Sequence, residues 1–308
     1  MIIRTLCRRG FFQEAVATTP AKRIAPQFSR QIHGTPRLNE QVGIHRVPKL
    51  NEHESLVQNG VPGLLSAQGY KTAWSDYMEY LTYEMNVAVS GKEYQHQTPE
   101  KLLIECARDP QRAYLFNLAS MAWNNHFFFK GISGVNAKPK PSQPSSDLLQ
   151  LINHDFSSMD TLREDFLATA EAMFGPGFVW LVQVNNHIRI LPTYNAGSPL
   201  AGAHYRRQSV DMNTQNTSPV NSAGSFGDSS EVQKGKPKAP FGGVDVTPLL
   251  CVNTWEHVWT TDYVPQYGFL HGKRAYLEKW WDKINWDVAG HLAKVSKSAN
   301  GAQKNRFV

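Results

Sequence analysis

An α+β fold is predicted by three features of this 308-residue sequence. Helical periodicity dominates as far as Gly131, a two-armed β pattern is centred on Asn185-Asn186, and one further strand and helix close the chain. Helices first and mixed structure second is the order expected of that class. At 41% hydrophobic the chain is long enough to bury one or two cores. No run approaches the roughly 18 consecutive apolar residues that span a bilayer, so no membrane partner is expected.

Residues 1–39 carry Arg4, Arg8, Arg9, Lys22, Arg23, Arg30 and Arg37 against one acid, Glu14. With apolar residues interleaved, this reads as a mitochondrial transit peptide, the mature chain starting near Glu40. The alternative is a basic arm that binds RNA. Net charge is +6, which favours polyanionic partners but does not bear on fold. Cys7, Cys106 and Cys251 have neither disulfide nor metal-ligand spacing, so a reducing compartment is expected.

Residues 40–63 are polar and broken by Pro48, Gly60, Pro62 and Gly63, and they predict an extended entry. From Ser66, the apolar positions Tyr70, Trp74, Tyr77, Met78, Leu81 and Met85 recur every three or four residues, predicting a helix. Thr98-Pro99 is an N-cap followed by a first-turn proline, opening a short helix. A third helix runs through RAYLFNLASMAWNNHFFFKGI to Gly131. The Pro/Ser/Lys-rich stretch 136–146 predicts a linker, and it divides a helical domain, 40–140, from an α/β domain, 141–308. Ser158 opens a helix through Leu162, Phe166, Ala170 and Met173 that the glycines at 175 and 177 stop. The β-rich arms of FVWLVQVNNHIRIL form a hairpin. Residues 203–243, poor in apolar residues, predict a disordered insertion. VTPLLCVN is a strand that leads into NTWEHVW, and RAYLEKWWDKINWDVAGHLAKV ends the chain as a helix.

Three motifs in this order resemble the iron/manganese superoxide dismutase family. They are Trp123-Asn124-Asn125-His126 with its following phenylalanines, Phe174 to Val182, and Thr247 to His257 with the Trp280-Trp281 and Asn285-Trp286 element. The resemblance covers about residues 55–295 outside the insertion. It implies an N-terminal helical hairpin followed by a three-layer α/β domain with a small antiparallel sheet. In that family three histidines and an aspartate hold the metal. If Tyr77 matches the family's site tyrosine, the first ligand position falls near Gly69, and residues 57–94 contain no histidine. The second position holds Asn125. Using His126 instead would rotate the helix face by about 100°. The third holds Asn253, an uncharged and weak donor, and the fourth keeps His257. Where the family has a glutamine beside the metal-bound solvent stand Met121 and Phe174. Glu256 matches the glutamate that crosses the family's dimer interface, so Glu256 and His257 are expected at a dimer contact; the alternative is that the two satisfy each other in a polar interior.

No catalytic residue, cofactor or bound metal is therefore expected, and Asn125, Asn253 and His257 are vestigial ligand positions. The chain resembles the superoxide-dismutase-like proteins of the fungal mitochondrial small ribosomal subunit. That implies a structural role in mitochondrial translation, in the matrix, as a heterodimer with a related chain. Its partners would be small-subunit ribosomal proteins and rRNA. Lys294, Lys297, Lys304 and Arg306, with the lysines of 234–238, are the candidate RNA contacts. An active manganese or iron superoxide dismutase of the matrix, and a matrix scaffold dimer outside the ribosome, are the alternatives.

Overall fold

The stretch expected to be extended contains a helix. The computed structural model describes residues 44–107, 109–134, 143–200 and 246–294, and its first element is α1 (His53–Asn59). Tertiary contacts override the weak local signal. Leu56 is buried, and His53 Nδ1 hydrogen-bonds the Tyr70 hydroxyl at 2.9 Å. The transit segment, the insertion 203–243, and Lys297, Lys304 and Arg306 lie outside the described residues.

The helix predicted from Ser66 forms, but not as one α-helix. α2 (Ala67–Tyr70) runs into a π-helical stretch, Lys71–Asp76, and then into α3 (Tyr77–Val89). Ser66 caps the start by accepting from the Gly69 N–H at 3.0 Å. Tyr70, Trp74, Met78, Leu81 and Met85 are all buried, as their spacing demands. The π stretch accommodates an extra residue within the helix, a device common at functional sites. α4 (Pro99–Cys106) begins as predicted, with the Thr98 hydroxyl accepting from the Lys101 N–H. α5 (Ala113–Lys130) packs on α3 and α4, forming the helical half. Its end is tied to the far end of the chain: the Ser133 N–H donates to the Lys283 carbonyl at 2.8 Å, and the Asn285 N–H to Gly131 at 2.9 Å.

The predicted linker ends in a helix that its composition hides. α6 (Ser146–Phe156) starts at a Ser145 cap and buries Leu148 and Ile152, one turn apart. α7 (Met159–Ala172) opens at Ser158 as expected.

The sheet is antiparallel in the order β2-β1-β3. β1 (Gly177–Val184) and β2 (His187–Tyr194) pair from Gly177–Tyr194 to Val184–His187, with Asn185 at φ 56° in the two-residue turn. β3 (Val246–Asn253) lies on the other side of β1 and slips register beside Pro248, which an edge strand tolerates at a bulge. Phe178 to Val182 are buried regardless of parity, so helices cover both faces of the central strand. On one face Trp180 stacks with Trp123 of α5 and touches Phe127.

α8 (Glu256–Trp281) contains Pro265 and breaks at Gly268, whose φ of 70° suits glycine. α9 (Trp286–Leu292) follows after a short turn. The sequence therefore under-reads α8, which begins directly after β3 and not at the RAYLEKWW motif. Phe166 of α7 stacks on Trp280 at 5.4 Å, joining these helices into one core.

Candidate functional site

β3 delivers Asn253 to the interior, and the chain turns at once into α8. The turn is fixed on β1: the Thr254 N–H and hydroxyl both donate to the Gly177 carbonyl, at 2.9 and 3.0 Å. A side chain at Gly177 would collide with the Thr193 carbonyl, which explains glycine at this close approach. Asn253 closes the turn through its own side chain, Oδ1 accepting the Trp255 N–H at 2.9 Å. Its carbonyl accepts from the buried Tyr276 hydroxyl at 2.9 Å.

Two buried amides then form a chain across the core. Asn253 Nδ2 donates to Asn125 Oδ1 at 3.2 Å, and Asn125 Nδ2 donates to the Ala73 carbonyl at 3.0 Å. Both side chains are fully buried. Strand β3, helix α5 and the π-helical stretch are thereby linked through two carboxamides and one peptide carbonyl. In a dry interior each bond is worth about 1 kcal/mol net, and losing one partner costs more because the other is left unpaired.

His257 sits on the first turn of α8, four residues after Asn253. Its ring packs at a tilt against Tyr77, with centroids 4.3 Å apart. Nε2 is buried without a hydrogen-bond partner among the described residues. Burial pushes the imidazole down to about 4, so it is neutral at physiological pH. Burial, then the neighbouring Tyr80, pushes Tyr77 up to about 12. Beside Tyr77 a cleft of about 780 Å³ opens, with Tyr80, Tyr114, Met121, Tyr194 and Trp255 in its walls.

Asn125 and Asn253 are therefore joined directly, His257 packs on Tyr77, and His126 stands elsewhere. His126 faces Trp74 at 5.9 Å and borders a different hollow with Glu52, Lys130 and Asn285. Burial, then Lys130, holds it down to about 4. A Cβ at Gly69 would collide with the Asp262 carboxylate, which accepts the Ser66 N–H at 2.9 Å. The group that this helix sends to the amides is instead the Ala73 carbonyl, a backbone atom with no mark in the sequence. Met121 is buried at the cleft, whereas Phe174 is 95% exposed. Neither offers a hydrogen-bonding side chain near His257. Glu256 opens α8, where the helix dipole favours its charge. Lys294 is exposed, but its backbone is held at both ends: its N–H donates to Gln183 Oε1 at 2.8 Å and its carbonyl accepts from Gln183 Nε2 at 2.7 Å. Sequence reasoning misses this buried glutamine, because it reads as one more polar residue at a hairpin tip.

A family model described as "Iron/manganese superoxide dismutases, C-terminal domain" matches residues 144–210 and 228–292. The small ribosomal subunit protein mS43 of Schizosaccharomyces pombe is 27% identical over 281 residues, covering 90% of this chain and 94% of that protein. The small ribosomal subunit protein mS42 of the same yeast is 32% identical over 215 residues, 66% of this chain and 78% of that one. A manganese/iron superoxide dismutase of Rickettsia bellii is 37% identical over 214 residues, 68% of this chain and 76% of the enzyme. A small antiparallel sheet clad in helices, a strand delivering residue 253 to the core, an imidazole on the first turn of the next helix and these likenesses agree: the chain belongs to the iron/manganese superoxide dismutase family.

Proposed function

We propose that the chain is a structural protein of the mitochondrial small ribosomal subunit and does not dismutate superoxide. The observation that carries the reading is the likeness to mS43 over almost the whole of both chains, beyond the domain shared with the enzymes. The site supports it. Iron or manganese that cycles to the trivalent state needs an anionic ligand and several imidazoles. The residues that meet here are two carboxamides, already spent on each other and on Ala73, and one imidazole. That set does not fit the ion. An amide is also no general acid or base at neutral pH, so no proton-coupled step is available from Asn125 or Asn253.

In this reading the body supplies surface. Glu256 and His257 contribute to a contact with a related chain, as the likeness to both mS42 and mS43 suggests. Lys294 and the basic residues after it face phosphates or neighbouring proteins. Import into the matrix is directed by residues 1–39, and the body is divided near residue 140. The test is sedimentation of lysed mitochondria on a magnesium-containing gradient, followed by immunoblotting. Co-migration with the small-subunit rRNA that survives moderate salt is expected. Migration as a free dimer, with close to one iron or manganese per chain, would overturn the reading.

A further inference from the structure

A second cluster of metal-ligating side chains lies away from the amide site. α6 ends in His154-Asp155-Phe156, and it packs against β2, whose first residue is His187. The hairpin turn at Asn185-Asn186 places His187 against the last turn of α6. Asp155 Oδ1 then lies 2.8 Å from His154 Nδ1 and 2.9 Å from His187 Nδ1. All three potential donor atoms lie within 4.8 Å of one another. The other carboxylate oxygen accepts the Ile188 N–H at 2.6 Å, which fixes the plane of the group. Ile188 is itself buried, so the anchor is part of the packed sheet.

We propose that His154, Asp155 and His187 bind a divalent transition-metal ion of the zinc class, clasping α6 to the hairpin. Zinc sits about 2.0–2.2 Å from imidazole nitrogen and carboxylate oxygen. At those lengths the observed separations correspond to N–metal–O angles of about 85°, and opening the shell to a tetrahedron moves each nitrogen outward by about half an ångström. Both imidazoles are more than half exposed and can swing that far without disturbing the core. The two rings approach with the same nitrogen, Nδ1, and with centroids 5.4 Å apart. A metal ion would replace both protons that now point at Oδ1. The backbone hydrogen bond to the carboxylate is the kind of outer partner that orients a ligand before the metal arrives.

The chemistry selects the ion. Calcium and magnesium require several oxygen ligands, and this cluster supplies one carboxylate. The adjoining depression, about 440 Å³, is bordered by Arg189. Two imidazoles and a carboxylate suit zinc, copper or nickel, and water can fill the exposed positions. None of these residues belongs to the amide site, so the inference stands whether or not the chain is ribosomal.

The test uses the full-length chain, stripped of metal and dialysed against buffered zinc, with bound metal counted by mass spectrometry. Cobalt substitution gives an independent visible spectrum of the ligand set. About one ion per chain is expected. H154A and H187A should each weaken binding roughly tenfold or more, since even loss of an outer partner costs that much. Because both side chains are exposed, these variants should fold, which unfolding in the absence of zinc verifies. H257A should bind as the parent does. Zinc should raise the unfolding temperature of the parent and not of H154A/H187A. Failure of the parent to take up zinc, or undiminished uptake by H154A/H187A through other histidines, overturns the proposal.

Discussion

Replacing Asn253 by aspartate is isosteric, yet it reverses the chemistry at the centre of the core. The Trp255 N–H still finds an oxygen, but the donor to Asn125 Oδ1 is gone, and two oxygens now face each other at the present 3.2 Å. Losing the bond costs about 1 kcal/mol, and stranding a buried acceptor adds about 1–3, so a loss of about 2–4 kcal/mol is expected near neutral pH. The side chain is fully buried, so desolvation lifts the folded-state pKa of the new carboxyl above its unfolded value of about 3.9. The folded protein then binds the extra proton first, and the protonated hydroxyl can donate to Asn125. The variant's deficit relative to the parent therefore shrinks as pH falls through the raised folded pKa, and grows again as pH rises. Urea unfolding of parent and N253D, followed by tryptophan fluorescence at about pH 7.5 and about pH 5, measures both quantities. A deficit below about 0.5 kcal/mol at the higher pH, or one that does not narrow at the lower, refutes the amide chain as a source of stability.

Other variants probe separate parts of the structure. His126 and His257 are both pushed down to about 4 by burial, whereas unfolded histidine titrates near 6.5. Stability is therefore fully present above about pH 6.5 and falls towards pH 4, and H126F or H257F should flatten that slope in pH-dependent unfolding. Q183L removes both bonds to the Lys294 backbone while keeping apolar bulk, and a loss of about 1–3 kcal/mol is expected in urea unfolding. G69A gains helix propensity but drives a methyl into the Asp262 carboxylate, so its unfolding temperature should fall, and G69A/D262A should recover part of the loss. F166A leaves a void against Trp280 and should cost about 3–5 kcal/mol by the same urea assay.

Much of the fold is legible in the sequence because its signals are local. Ser158 and Thr98 mark helix starts by the hydrogen bonds that they go on to make. Asn185-Asn186 marks the turn because asparagine tolerates positive φ. The run Phe178 to Val182 declares a doubly covered strand. What escapes is either weak or not local. α6 follows a proline-rich stretch, and only Ser145 with Leu148 and Ile152 betrays it. The π-helical turn has no compositional mark, yet it decides which group of that helix reaches Asn125. Asn125, Asn253 and His257 are singled out by resemblance to the family's motifs, and the hydrogen bond between the two amides appears only in the structure. The chain from Asn253 to Ala73 is invisible beforehand because its last acceptor belongs to the backbone. Asp155 and His187 lie 32 residues apart, and only the hairpin's docking on α6 unites them with His154.

The amide chain also has a direction. At one end the Trp255 N–H can only donate, and at the other the Ala73 carbonyl can only accept. Both carboxamides between them are therefore oriented by their neighbours, each taking a hydrogen on one side and passing one on at the other. Positions 125 and 253 are consequently a single unit of inheritance. A carboxylate introduced at 253 meets an oxygen, and any side chain at 125 that cannot both accept from 253 and donate to residue 73 leaves a buried group unmet. Single substitutions towards a charged ligand set descend in stability before a second can compensate. The core acts as a ratchet on its own history, passable only when both residues change together.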